Sequence, residues 1–392
     1  MYIKRDIHDK IESVLDDKEI IAIIGPRQCG KSTLANQLLE QKTKVHKITF
    51  DDVKTKTLFE TDIDSFIELH VKPYDYLFID EVQYVKKGGE KLKYIYDTQK
   101  TKILITGSSA TELSLQSTKF LVGRIFIFNL YPFSFGEFLR SKDETLYTVY
   151  IKKNFKEEME RQLHRLFEEF LLYGGYPRVV LERSIEKKQF ILKNIYNTYL
   201  LKEIRDILGL SESDKLVILL KSLSLQIGSL LNYSELSRIT GFSYIELKRF
   251  ISVLEKTFIC RLCTSFHTNK RTELVKMPKI YFIDYGFRNI CIDNFSKERT
   301  DKGAIYENSV FAEKVKQGIY LQYWRKKSGA EVDFIQDGIP LEVKSQPKIT
   351  KSFLQFLGEY KPKKSYIISQ VSQKKITKEG IPIYFESFVK LL

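Results

Sequence analysis

The run Gly25-Pro26-Arg27-Gln28-Cys29-Gly30-Lys31-Ser32 has the spacing G-x-x-x-x-G-K-S, and it stands between an apolar stretch, IIAIIG, and a helix-favouring one, STLANQLLE. Phosphate binding requires that context. Glycines at 25 and 30 let backbone N–H groups turn inward around an anion, and the helix that follows points its positive end at it. Lys31 is placed to reach the β- and γ-phosphates of ATP, and Ser32 to hold the accompanying Mg²⁺. Pro26, Arg27, Gln28, Cys29 and Thr33 complete the expected nucleotide-contacting set. A second apolar stretch, Leu77-Phe78-Ile79, ends in Asp80 and Glu81. Asp80 is expected to bind Mg²⁺ through its water shell and Glu81 to polarise the attacking water. A third stretch, KILITG, ends in Thr106, Ser108 and Ser109, where a polar side chain is expected to sense the γ-phosphate, Ser108 being counted among the nucleotide contacts. Arg124, in the run LVGR, is the candidate charge that completes the transition state, supplied in cis or to a neighbouring subunit of a homo-oligomer.

A second group of carboxylates lies near the other end of the chain. In GAEVDFIQDGIPLEVK, Asp337-Gly338 is a hairpin turn signal between two apolar strands. Glu342 and Lys344 then share one strand face, Val343 points the other way, and Asp333 lies on the partner strand. The pattern is D-x(n)-E-x-K, in which two carboxylates hold Mg²⁺ or Mn²⁺ and the lysine positions or activates water for attack on a phosphodiester. Glu307, on the helix-like run YENSVFAEKVKQ, is the expected third oxygen donor, and Glu331 shares the face of Asp333. Alternating charge on an exposed hairpin would give the same pattern. Trp324-Arg325-Lys326-Lys327 is suited to phosphate contact, and Asp284 in IYFIDYGF reads as an N-cap or a further acid.

The elements that must position these residues follow from period and punctuation. Short apolar strands at 20, 46, 76, 102 and 124 alternate with helical stretches, the pattern of a parallel sheet with crossover helices. Residues 141–210 read as a helical lid or linker region, with Tyr173-Gly174-Gly175-Tyr176-Pro177 as a breaker between helices, a linker or hinge. Residues 211–294 read as a winged-helix-like module. A helix near Tyr233 to Thr240 stops at Gly241, and Ser243 with Glu246 caps a second whose apolar positions are Leu247, Phe250, Ile251 and Leu254. The runs FICRLCTSF and KIYFID are expected to form the wing. Residues 295–392 read as helix, strand, hairpin, helix and strand.

With 392 residues the chain calls for several cores, and its 43% hydrophobic and 29% charged content is that of a globular protein. No apolar run is long enough to span a bilayer, and the charged start MYIKRDIHDK is no export signal, which places the protein in the cytoplasm away from membranes. Cys260 and Cys263 lack a second pair at zinc spacing and read as buried thiols. The net charge of +14 is uneven: +1 over residues 1–140, +5 over 141–270 and +8 over 271–392. An anionic polymer, DNA above all, would therefore meet the later modules.

Taken together, GPRQCGKST, LFIDEVQ, TGSSA, LVGRI and LYPFSFGEFL resemble the AAA+-like ATPases of archaea and bacteria that carry a trailing domain of unknown function. The resemblance implies an α/β fold: a P-loop ATPase sheet over residues 1–140, a helical lid, a helix-turn-helix module and a C-terminal domain similar to PD-(D/E)XK nucleases over 295–392. The expected function is ATP binding and hydrolysis coupled to DNA engagement, with a candidate metal-dependent nuclease centre. The alternatives are a nucleotide-controlled switch or scaffold, or a DNA-binding regulator, in which the nuclease-like fold cuts nothing.

Overall fold

The computed structural model describes residues 2–85, 88–107, 120–153, 156–198, 204–210 and 214–391. They form two compact units, residues 1–133 with 256–258, and residues 134–255 with 259–392.

In the first unit, five strands form where the apolar runs predict them: β1 Ile20–Ile24, β2 Val45–Thr49, β3 Tyr76–Asp80, β4 Lys102–Gly107 and β5 Ile125–Asn129. They make one sheet in the order β2-β3-β4-β1-β5, with every neighbouring pair parallel. A parallel sheet buries both faces, and the two-residue period divides its side chains between two cores. Ile20, Ala22, Ile24, Leu77, Ile79, Ile103 and Ile105 point to one, and Ile21, Ile23, Phe78 and Leu104 to the other. Because all five strands run the same way, residues that follow their C-terminal ends collect along one edge, the usual ligand edge of an open α/β sheet. Gly25, Asp80 and Thr106 stand on that edge.

The second unit carries an eight-stranded mixed sheet, order β12-β13-β11-β10-β9-β8-β6-β7. Its strands are β6 Cys260–Ser265, β7 Lys279–Phe282, β8 Gln322–Arg325, β9 Glu331–Gln336, β10 Ile339–Val343, β11 Ser365–Ser369, β12 Gln373–Lys378 and β13 Ile381–Ser387. The turn at Asp337 and Gly338 takes φ of 50° and 79°, the left-handed pair that the Asp-Gly signal requires. The helix-turn-helix forms where its caps place it. Helix Tyr233–Thr240 ends on left-handed Gly241, and Ser243 and Glu246 close a reciprocal box before helix Tyr244–Lys256. Its inner face is Leu247, Phe250, Ile251 and Leu254, as the spacing demands.

Two expectations are corrected. The strands read as a wing are β6 and β7, and they do not stand alone: β6 pairs in parallel with β8, so the pair is the edge of the large sheet. The YGGYP segment is not a hinge. Gly174 ends helix Glu157–Tyr173 at φ 75°, ψ −167°, a region open essentially to glycine alone. The buried carboxylate of Asp284 accepts from Gly175 N at 2.7 Å and caps helix Tyr285–Cys291 through Phe287 N at 2.8 Å. Burial raises the Asp284 carboxyl, against the pull of those two N–H groups. A Cβ on Gly174 would sit 2.2 Å from Asp284 Oδ1, and one on Gly286 would sit 2.1 Å from Tyr173 O. The cap reading of Asp284 thus holds, and the glycines exist for close approach. Gly174→Ala is expected to destabilise the second unit by roughly 2–5 kcal/mol, combining backbone strain and overpacking. Chemical denaturation of the full chain measures it; a change below about 0.5 kcal/mol, the ordinary surface value, would contradict the locked corner.

Cys260 and Cys263 are both buried and free, so the isolated pair holds neither a disulfide nor an accessible redox centre. Among the described residues no helix is long and apolar enough to cross a membrane.

Candidate functional site

The loop after β1 is held from below. Gly25 packs so closely that a Cβ would stand 2.0 Å from the carbonyl oxygen of Leu130, just past β5. Cys29 Sγ is 3.4 Å from the same oxygen, and Arg5 donates to Cys29 O at 2.8 Å and Tyr131 O at 2.6 Å. Arg5 is buried and lies over the Phe133 ring. This clamp was missed in the sequence, where a lone arginine in MYIKRD carries no local signal. Gln28 and Gly30 take positive φ, 61° and 96°, which turns the loop into the cradle of backbone N–H groups expected of it. Helix Lys31–Leu38 follows directly. Lys31, almost wholly buried, donates to Pro26 O at 3.0 Å, so its ammonium already lies across the mouth of the loop. Arg27 reaches the Tyr84 hydroxyl at 2.5 Å, Gln28 and Thr33 are exposed, and Pro26 is buried.

Ser32 donates to Asp80 Oδ1 and Oδ2 at 2.9 and 2.8 Å. Thr106 also donates to Asp80 Oδ1, and its oxygen accepts from Glu81 N at 3.1 Å. The register sets this up: Ile79 pairs with Ile105, which brings Asp80 and Thr106 level. Glu81 sits in left-handed backbone, φ 57°, and its carboxylate is held by Gln83. Hydroxyl and carboxylate oxygens are the donors Mg²⁺ prefers, and Ser32 and Asp80 already share one position. Ser108 and Ser109 lie outside the described residues.

Arg124 is elsewhere. Its carbonyl accepts from Ile20 N at 2.8 Å, at the start of β1 and β5, whereas the phosphate loop follows their other end. Its guanidinium is paired with Asp97 at 2.8 Å. A five-residue strand is about 15 Å long, so the cis role is ruled out by placement.

In the second unit, the C-terminal carboxylates gather in two groups. Asp333 on β9 and Glu342 on β10 share Lys344, whose Nζ is 3.3 Å from Asp333 Oδ2 and 3.0 Å from Glu342 Oε1. Val343 N donates to Asp333 Oδ2 at 2.7 Å, Thr350 Oγ1 donates to Glu342 Oε1 at 3.1 Å, and Glu342 Oε2 is buried without a partner. Glu307, on helix Lys302–Lys316, faces a different cation: Lys279 Nζ lies 3.1 Å from Glu307 Oε1 and 2.5 Å from Glu331 Oε1, and the Tyr281 hydroxyl also donates to Glu307. Carboxylate oxygens of Glu307, Asp333 and Glu342 do not all come within 4.8 Å of one another, so Glu307 does not join the other two at one cation position. Burial, reinforced by the charge of Asp333, pushes both Glu307 and Glu342 up to about 7. Lys279 is held charged by the surrounding acids in spite of its burial. It was missed because the run KIYFID reads identically with a solvated first residue. Arg325 and Lys326 are engaged by Glu331 and Glu359.

A parallel sheet with a glycine-cradled phosphate loop, a lysine across it and a serine on an aspartate defines a P-loop nucleotide-binding ATPase domain. Residues 17–139 match the family model "AAA domain", in keeping with an AAA-like ATPase; residues 164–298 and 302–386 match two domains of unknown function, DUF8612 and DUF4143. The chain is 27% identical over 340 residues to an uncharacterised protein of Haemophilus influenzae, spanning 81% of this chain and 80% of that one. It is 26% identical over 347 residues to an uncharacterised protein of Methanocaldococcus jannaschii, spanning 84% and 74%. Among solved structures it is similar to a Walker-type ATPase of Pyrococcus abyssi, with a TM-score of 0.48 at 16% identity over 74% of this chain and 96% of that one.

Proposed function

We propose that the chain hydrolyses ATP to drive a cycle on nucleic acid, and that its second unit holds a divalent cation for phosphodiester cleavage. The observation that carries the first half is Ser32 hydrogen-bonded to Asp80 beside Thr106. Lys31 would exchange the Pro26 carbonyl for a phosphate oxygen, and Glu81 would accept the proton of the attacking water. When bound, Mg²⁺ neutralises phosphate charge at Ser32 and Asp80. Any completing arginine charge from Arg124 would have to enter a neighbouring subunit.

For the second half, the orphaned, buried Glu342 Oε2 beside Asp333 favours a cation there. A divalent ion at that position supplies charge neutralisation and a more acidic water. Asp333 and Glu342 would hold it, and Lys344, one-third exposed, would orient water or the scissile phosphate. The helix Tyr244–Lys256 presents Ile245, Lys248 and Arg249 to solvent, a surface suited to DNA, in a half of the chain that carries most of the +14 charge. The opposing reading, a binding fold that cuts nothing, is favoured by the lysine pairs that already occupy the carboxylates.

Asp333→Ala and Lys344→Ala are each expected to abolish Mn²⁺-dependent cleavage of branched, nicked, single-stranded or duplex DNA and to leave ATP turnover unchanged. DNA affinity should fall steeply with salt, with a log–log slope near −0.9 per phosphate contact on duplex. Equal cutting by wild type and Asp333→Ala would assign the activity elsewhere, and an absence of cutting on all four substrates would leave the binding-fold reading standing.

A further inference from the structure

The four carboxylates of the second unit's cluster divide into a balanced pair and an unbalanced one. Glu307 and Glu331 are served by two cations, Lys279 between them and Arg325 at 3.2 Å from Glu331 on the exposed rim. Asp333 and Glu342 share one, Lys344. Among the described residues the one buried carboxylate oxygen without a hydrogen-bond partner, Glu342 Oε2, belongs to the second pair, on a residue 2% exposed.

The two lysines also differ in freedom. Lys344 is 32% exposed and is free to turn toward water. Lys279 is 1% exposed, lies over the Tyr323 ring, and projects from the first residue of β7 with Glu307 and Glu331 both within ion-pair distance. Withdrawing it would leave two half-buried carboxylates without their shared cation, Glu307 with the Tyr281 hydroxyl alone and Glu331 with Arg325 on the exposed rim, which is more costly than moving a surface lysine. Glu307 Oε1 already accepts from Lys279 and Tyr281, so an ion on that oxygen would have to compete with the ammonium.

We propose that Lys279 is a fixed cation standing in the place of a second metal ion, so that the cluster binds one divalent cation, on Asp333 and Glu342, and uses Glu307 and Glu331 only to hold Lys279. This rests on the metal reading above and sharpens it to a stoichiometry and a ligand set. Glu307 then acts as a positioning residue for the lysine and not as a metal ligand. The site is specific for a single ion because its second charge is covalently part of the chain and cannot be diluted away.

The test counts ions on the full chain in an Asp80→Asn background without nucleotide, so that the ATPase site contributes none. Calorimetric titration with Mn²⁺, read alongside electron paramagnetic resonance of bound Mn²⁺, is expected to give one ion per chain with no spin coupling. Glu342→Gln should weaken that binding by about a hundredfold or more, while Glu307→Gln leaves it within about threefold. Lys279→Met, where it folds, should admit a second, spin-coupled Mn²⁺; where it does not fold, the Glu307→Gln and Glu342→Gln pair still decides. Two ions in the starting protein, a Glu307→Gln loss equal to that of Glu342→Gln, or a folded Lys279→Met that still binds one ion would each overturn the proposal while keeping a metal centre. No Mn²⁺ bound at all would remove the metal reading and this inference together.

Discussion

Glu81→Gln is expected to lower the turnover of ATP by about 10³-fold while changing nucleotide affinity by less than about threefold. The reason is where Glu81 stands. Asp80 is occupied by Ser32 and Thr106, so it belongs to the cation and its surroundings. Glu81 is the next residue on the same edge, turned by its left-handed backbone and anchored through N to Thr106. Its carboxylate is held by the flexible amide of Gln83, a contact that reorganisation around a bound nucleotide can release. Glutamine keeps the shape and the hydrogen-bonding capacity but cannot accept a proton from water. Steady-state turnover at saturating ATP and the affinity of a fluorescent nucleotide separate the two effects. Unchanged turnover would transfer the base role to another residue, and a loss of affinity matching the loss of turnover would mean that Glu81 is structural.

Metal-free protein is expected to lose stability in its second unit as pH rises from 5 to 8, and Mn²⁺ to restore it most at the high end. Glu307 and Glu342 are raised from 4.5 to about 7, by burial first and by Asp333 second. A carboxyl that binds its proton more tightly when folded contributes stability that is complete below the unfolded value and disappears as pH climbs through the folded one. The window is therefore about pH 4.5 to 7, and the loss is on the order of a few kcal/mol, shared by groups that titrate together. A divalent cation competes with those protons, so its stabilisation should grow across the same window. Thermal melts at pH 5, 6.5 and 8, in chelator or in Mn²⁺, give the comparison, with Glu342→Gln expected to flatten it. Stabilisation by Mn²⁺ that is equal at pH 5 and 8 would mean that the ion binds elsewhere.

Much of the first unit was legible because its signals are local. All five strands of its sheet announce themselves as apolar runs, and the phosphate loop is defined by glycines whose necessity shows in φ at Gly30 and in the 2.0 Å approach at Gly25. The helix-turn-helix was equally plain, since Gly241 and the Ser243–Glu246 box act within a few residues. What remained hidden was long-range. Arg5 meets Tyr131 across 126 residues, and Asp284 meets Gly175 across 109, so a corner locked by a buried acid looked like a hinge. Lys279 reaches Glu307 and Glu331 through a sheet whose strand order no periodicity encodes, and that same order turned a supposed wing into a sheet edge. Strand β12 went unread because QKKITK, at the sheet's margin, has the polar composition of an edge strand. Arg124 was misplaced for a related reason: its run precedes β5, and only the parallel register shows that this is the far end from the loop.

The central claim is that residues 25–32 with Asp80 form a working Mg²⁺–nucleotide site, and calorimetric titration of the full chain with ATP tests it most directly. Wild type should bind ATP in Mg²⁺ with a micromolar Kd, Lys31→Ala should bind at least about a hundredfold more weakly for want of a charged phosphate contact, and chelation of Mg²⁺ should weaken wild type. Lack of binding by wild type, or a Lys31→Ala protein that binds as tightly as wild type in Mg²⁺, would contradict it.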